Sequence, residues 1–424
     1  MIRIMKYGEV GNREIFARTI PQETVSDVVA EIIREVRERG DKALYEYCER
    51  LDGAKLDRLE VSREEIDGAL AAVEPEFLAV LKKAAGNIRA FHEKQLRSGF
   101  RMEGNGTVLG QKVMPMASVG LCVPGGKTPL SSTVLMDAIP AKVAGCPELI
   151  MVTPARPDGT VDASILAAAS IAGVDRIFKL GGAQAVAALA YGTESVPAVD
   201  KIVGPGGAYV AEAKKQVFGR VAIDMIAGPS EILIVADGKS DPRYVAADLL
   251  SQAEHDTFAS AVLVTDSMAL AEQVQAEIER QLPALLREKI ARASIDDHGK
   301  IIVAESLETA VGIANEIAPE HLELCVDEPF EYLERVRNAG SVFLGRSCPE
   351  ALGDYLAGAN HTLPTGGTAR FSSPLSVDDF VKKSQYIYYT EEALAGVAQD
   401  VARFARKEGL TGHARSALIR TEEG

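Results

Sequence analysis

The stretch "SQAEHD", residues 251–256, brings a carboxamide, two carboxylates and an imidazole together. Gln252 and His255 are three apart, so on a helix they share one face about a turn apart, while Glu254 and Asp256 point elsewhere. Two donors on one helical face make half of a metal site, and a four-coordinate ion must find its other ligands elsewhere in the chain. A solvated helix face or a helix cap would use the same pair, so the spacing alone leaves both readings open.

The chain has six histidines, four of them in polar, Gly-flanked or Pro-flanked settings: His255, His321 in "APEHLEL", His361 in "GANHTLPT" and His413 in "GLTGHAR". Histidines at element ends are suited to proton transfer and to metal ligation. His298 in "DDHGK" reads as a turn residue and His92 as a surface or packing residue of a helical run. Glu320 and His321 sit at a helix-to-strand corner, where adjacent side chains point in different directions and suit two proton-transfer roles around one substrate. Asp354 lies beside Gly353 in a turn-rich loop, available either as an oxygen ligand or as an Asx-turn cap. "VPGGKTP", "LGGAQA" and "VGPGGAYVAEA" each follow a strand pattern and lead towards a helix. Their backbone N–H groups could hold phosphate, although none spells a nucleotide fingerprint and turn geometry alone would explain them.

These groups must be positioned by regular elements. Asp241 and Pro242 can cap and start the helix "DPRYVAADLLSQAEHD", which puts Gln252 and His255 at its end, expected near the carboxyl edge of a parallel sheet. From about residue 108 onward, short β-branched runs alternate with Ala-rich helical runs, the pattern of parallel strands with crossover helices. The division expected is an N-terminal arm (1–19), a large α/β domain (20–121 and 230–374), a second α/β domain (122–229) and a C-terminal helical tail (375–424). The helical run before 108 is expected to pack on the later series.

At 424 residues the chain exceeds one ordinary core. A formal net charge of −15 argues against nonspecific binding to nucleic acid or to anionic membrane surfaces and favours a small-molecule partner. Five scattered cysteines read as reduced thiols of a cytoplasmic protein, and no signal peptide or membrane-spanning run is evident.

Taken in order, "MIAGPSEILIVAD", "LLSQAEHD", "IAPEHLEL", "LGDYLAGANHTLPT", "FSSPLSVDDF" and "EGLTGHAR" resemble histidinol dehydrogenase over nearly the whole chain. The resemblance implies an α/β fold of two Rossmann-like units with parallel sheets, incomplete in the manner of aldehyde dehydrogenases, plus small helical terminal segments. It also implies a zinc-dependent, NAD-linked oxidation of L-histidinol through L-histidinaldehyde to L-histidine, with one Zn2+ per subunit.

By matching motif, the resemblance assigns Gln252, His255, Asp354 and His413 to zinc, with Glu320 and His321 as the acid–base pair. His321 would remove the alcohol proton and Glu320 would activate the water that attacks the aldehyde. The zinc ligands and the acid–base pair are also implied to touch substrate, together with Ser230, His361 and Glu408. The cofactor positions fall on Cys122, Gln184 and Gly207, where the family commonly has Tyr at the first and Asn at the third. A homodimer is implied in which each tail completes the partner's site. Two other readings stay open: a related zinc-dependent dehydrogenase of another polar alcohol, and a zinc-binding protein without turnover.

Overall fold

The computed structural model describes residues 1–18, 25–126 and 128–422. The boundary expected at 19/20, the Lys127 position of "VPGGKTP" and the last two residues of the tail lie outside the described residues.

Two compact units emerge, one of residues 1–95 and 117–380, the other of residues 96–116 and 381–424. The first unit holds two parallel sheets. The larger has six strands in the order Arg3–Lys6, Lys300–Val303, Ser260–Thr265, Glu231–Ala236, His321–Cys325, Ser341–Leu344. Its central strand, "EILIVA", is apolar on both faces after Glu231, as a strand covered by helices on both sides must be. The expected N-terminal arm supplies the edge strand Arg3–Lys6, in register with Lys300–Val303. The smaller sheet has five strands in the order Arg176–Lys179, Glu148–Thr153, Ser118–Cys122, Lys201–Val203, Ala222–Ile223.

The helical run before residue 100 does not pack on the larger sheet, as expected, but on the smaller. Val29, Ile32, Ile33 and Val36 of helix Ser26–Arg39 share one core with Ile150, Phe178 and the helix Gly182–Tyr191. An apolar stripe at helical spacing requires a covered face without naming the sheet that covers it; the Ala-rich Gly182–Tyr191 gives this helix a close-approach surface. At about 1.5–3 kcal/mol per buried aliphatic side chain, that contact strongly favours the docking found.

In the second unit, strand Thr107–Pro115 lies between Phe100–Gly104 and Val381–Tyr389, both antiparallel to it. Helices Glu391–Lys407 and Thr411–Leu418 complete it, and Ala402, Ala405 and Ala414 form their shared core. The tail is therefore not purely helical, since it begins with a nine-residue strand. Among the described residues no helix is long and apolar enough to cross a membrane.

Candidate active site

Glu231, the first residue of the central strand, organises the site through its main chain. Its N–H donates to Glu320 Oε2 at 2.9 Å, and its carbonyl accepts from His321 Nδ1 at 3.0 Å. A carbonyl can only accept, so Nδ1 carries the imidazole proton and Nε2 keeps its lone pair. Glu320 and His321 thus converge, with Nδ1 and Oε2 3.7 Å apart, instead of pointing apart as adjacent residues at a corner were expected to. Helix Leu307–Ile317 ends at Ala318, and strand His321–Cys325 begins directly after Pro319 and Glu320, in register with Glu231–Ala236.

Burial sets the protonation of the pair. It drives the His321 pKa down to about 3, helped by His255 and His361 and opposed by the hydrogen bond to Glu231, so the imidazole stays neutral. Burial also lifts the Glu320 carboxyl well above its usual range, with the charges of Glu231, Asp354 and Glu350 adding and the Glu231 N–H subtracting.

Among the described residues His321 Nε2 has no hydrogen-bond partner, and it faces Glu350 Oε1 at 3.8 Å and Asp354 Oδ1 at 3.9 Å. His321, Glu350 and Asp354 bring ligand atoms within 4.8 Å of one another. Asp354 does not lie in a loop. Helix Glu350–Tyr355 carries it four residues from Glu350, so the two carboxylates share a face. A close approach permits this: a Cβ at Gly353 would lie 2.5 Å from the Phe343 ring, which sits beside His321. Burial raises both carboxyls and their mutual repulsion raises Glu350 further, so the pair holds a proton that a bound cation would displace.

Gln252 closes helix Pro242–Ala253, whose start is capped by Asp241 as expected, with Pro242 in the first turn. Gln252 is 0% exposed, yet among the described residues neither its Oε1 nor its Nε2 has a partner. Leaving a buried amide unpaired costs about 1–3 kcal/mol, which a ligand at this point would offset. Ser251, one residue earlier, donates to Glu350 Oε2 at 3.1 Å. His255 is exposed, one turn past Gln252, and close enough to influence both Glu350 and His321. His361 donates from Nδ1 to the Asp354 carbonyl at 3.1 Å, its Nε2 lies 3.4 Å from Thr133 Oγ1, and burial holds its pKa near 4. Ser230 is half-buried immediately before Glu231.

His321, Glu350 and Asp354 present a cluster of N and O donors of the kind a zinc ion takes, and the buried amide of Gln252, unpartnered among the described residues, is a further candidate donor. Glu350, which the motifs did not single out, lies with His321 and Asp354 in this cluster; its four-residue spacing from Asp354 in "PEALGDY" was the available signal. The residues do not cluster at the carboxyl edge of the larger sheet, as expected, but at its amino edge. Glu231 and His321 begin their strands and Gln252 ends its helix, a position that returns the chain to that edge.

The three cofactor candidates do lie at a carboxyl edge, that of the smaller sheet. Cys122 ends its strand, Gln184 sits in the first turn of Gly182–Tyr191, and Gly207 is the N-cap of Ala208–Val217. Cys122 is buried, its thiol pushed up to about 12 by burial. Gln184 is buried with Oε1 unpartnered among the described residues, while a Cβ added at Gly207 would meet none of them within 4 Å. Glu408 and His413 belong to the second unit, the one at the C-cap of Glu391–Lys407 and the other in Thr411–Leu418, both exposed.

Residues 17–421 match the model of the histidinol dehydrogenase family. The chain is 57% identical over 406 residues to the histidinol dehydrogenase of Syntrophotalea carbinolica, covering 95% of this chain and 94% of that one. It is 53% identical over 423 residues to that of Geobacillus kaustophilus, covering 99% and 100%. The crystal structure of histidinol dehydrogenase from Elizabethkingia anophelis superposes with a TM-score of 0.94 at 36% identity, over 99% of this chain and 98% of that one.

Proposed function

The chain belongs to the histidinol dehydrogenase family of oxidoreductases, and we propose that it oxidises L-histidinol through L-histidinaldehyde to L-histidine, with zinc and NAD. The observation that carries this reading is the pinning of Glu320 and His321 to the two main-chain groups of one residue, with Nε2 buried and unpartnered among the described residues. A neutral imidazole fixed in one tautomer is a general base for an alcohol proton, and an adjacent carboxyl serves a second proton transfer.

In this reading His321 Nε2 takes the hydroxyl proton of histidinol as the first hydride leaves carbon. His321 passes that proton to solvent; Glu320, once ionised, takes a proton from the water that adds to the aldehyde, and the neutral His321 then receives the hydrate proton as the second hydride leaves. Gln184 with the main-chain N–H groups behind Gly207 would hold NAD, which would supply the hydride acceptor for each oxidation. Gln252, His255 and Asp354 would hold zinc, which would supply a Lewis acid that orients the substrate. His361 and Ser230 line the substrate. From the resemblance, Glu408 and His413 complete the site of a partner subunit in a cytoplasmic homodimer.

The test is NADH formation with L-histidinol. Two NADH per histidinol supports the proposal, turnover only of other alcohols replaces it with a related dehydrogenase, and bound zinc without turnover replaces it with a binding role.

A further inference from the structure

We propose that Arg18 is a positioning residue for the acid–base pair, acting through Glu231 and through the corner that leads into Glu320. The inference rests on the assignment of Glu320 and His321 as the proton-transfer groups. Three bonds from one guanidinium support it. Arg18 Nη1 donates to Glu231 Oε1 at 2.6 Å, while Nη2 donates to the carbonyl of Ile317 and, at 3.4 Å, to that of Ala318.

Those acceptors belong to the two chain segments that meet at the site. Glu231 holds both catalytic side chains by its N–H and C=O, so the position of that one residue sets where the Glu320 carboxyl and the His321 ring sit. Ile317 ends a helix, and Ala318 adopts φ 50°, a left-handed conformation that non-glycine residues avoid. Such a conformation persists where its surroundings impose it, and here it turns the chain into Pro319, Glu320 and His321. Arg18 satisfies the carbonyls of this turn and ties them to the start of the neighbouring strand. The ion pair is mostly buried, with side-chain exposures of 24% and 13%, and the Gly366–Gly367 turn closes over it: a Cβ at Gly367 would lie 3.3 Å from the guanidinium carbon.

The planar fork explains the choice of residue. Arginine reaches a carboxylate and two carbonyls at fixed angles, whereas a lysine ammonium on a flexible stem cannot hold all three. Misplacement of reacting groups by about 1 Å can cost ~10²-fold in rate.

The experiment compares Arg18→Met, Arg18→Lys and Glu231→Gln with the wild-type full-length chain by histidinol kinetics, bound zinc and nitrogen-15 NMR of the histidine rings, with His321→Asn used to assign the His321 signal. Arg18→Met should lose ~10²-fold in kcat with KM for histidinol within about threefold and zinc content unchanged. Arg18→Lys should recover part of that loss. The Arg18→Met/Glu231→Gln double variant should fall no further than the worse single one, because both break one unit. The His321 ring should be protonated at Nδ1 in the wild type and a mixture of tautomers in Arg18→Met. Should Arg18→Met fail to fold, Arg18→Lys and Glu231→Gln carry the same comparison. A wild type that does not turn over histidinol refutes the functional reading and leaves the tautomer measurement as the test of Arg18. A folded Arg18 variant with wild-type kcat, or an unchanged His321 tautomer, overturns the inference.

Discussion

Replacing Glu320 with Gln should separate the two oxidations, and the structure sets the size of the effect. Glu320 Oε2 accepts the Glu231 N–H at 2.9 Å, and a glutamine oxygen can accept the same bond, so the backbone arrangement survives the change. What is lost is the ability to take a proton. Because burial raises the Glu320 pKa well above the usual carboxyl range, the group gains its base form at higher pH than an ordinary carboxyl does. Its ionised fraction then grows about tenfold per pH unit until the raised pKa is reached, since an acid with a raised pKa gains its base form only at higher pH. Oxidation of histidinaldehyde by the wild type should therefore rise with pH, with a logarithmic slope near one below the raised pKa of Glu320. The Glu320→Gln enzyme should be slower by about 10²–10⁴ and lack that slope, the usual worth of a general base. Alcohol oxidation depends on His321, whose lowered pKa of about 3 keeps Nε2 unprotonated throughout this range, so it should change little. Single-turnover NADH formation from L-histidinol and separately from L-histidinaldehyde, across a pH series, measures both. Equal loss in the two half-reactions, or a pH slope that persists in the variant, refutes the division of labour.

Chelation should abolish activity and zinc restore it, with Asp354→Ala and His255→Ala lowering bound zinc in elemental analysis. Gln252→Leu should stabilise the metal-free protein by about 1–3 kcal/mol in thermal unfolding, because it removes two orphaned buried atoms, while weakening zinc retention. At the cofactor positions, Gly207→Asn should lower KM for NAD with little change in unfolding temperature, since an added Cβ meets no described residue within 4 Å. Cys122→Tyr should cost about 1–3 kcal/mol by overpacking a buried position, read in the same melts. Finally, His255→Ala and His413→Ala chains, each inactive alone, should regain about a quarter of the wild-type sites when unfolded and refolded as a mixture, by two-fold symmetry. A mixture as inactive as its parents, despite confirmed heterodimers, would place His413 in its own subunit's site.

The parts of the site that were legible in the sequence are those written in side chains at regular spacing. Gln252 was visible because it lies one turn from His255, and the capping signal at Asp241 and Pro242 fixed where its helix begins. Glu320 and His321 were visible from the Pro that ends one element just before the next begins. Glu231 was not, because its part is played by a peptide N–H and C=O that every residue owns. Glu350 was hidden by a turn-rich setting in which Gly353 suggested a loop; the glycine instead lets a helix press against Phe343. Helix Ser26–Arg39 announced an apolar stripe, but the sheet it covers depends on complementary surfaces that periodicity does not encode. Both parallel sheets followed from alternating strand and helix runs. The strand that opens the tail did not, because "VKKSQYIYY" offers too weak an apolar alternation to signal one.

That tail strand carries a consequence for how the chain is made. Thr107–Pro115 pairs with Phe100–Gly104 as a hairpin that can form as soon as it is synthesised, but its other edge is reserved for Val381–Tyr389. At translation rates of ~5–20 residues per second, the last residue of that partner follows roughly 15–55 s later. Throughout that interval the nascent hairpin presents unpaired N–H and C=O groups, together with exposed Phe100, Met102 and Leu109, to any strand nearby. On a polysome the nearest such strand is the same hairpin of the neighbouring nascent chain. Yield of folded protein should therefore be limited by that waiting time and should improve when a separately supplied peptide of residues 381–389 occupies the edge during synthesis.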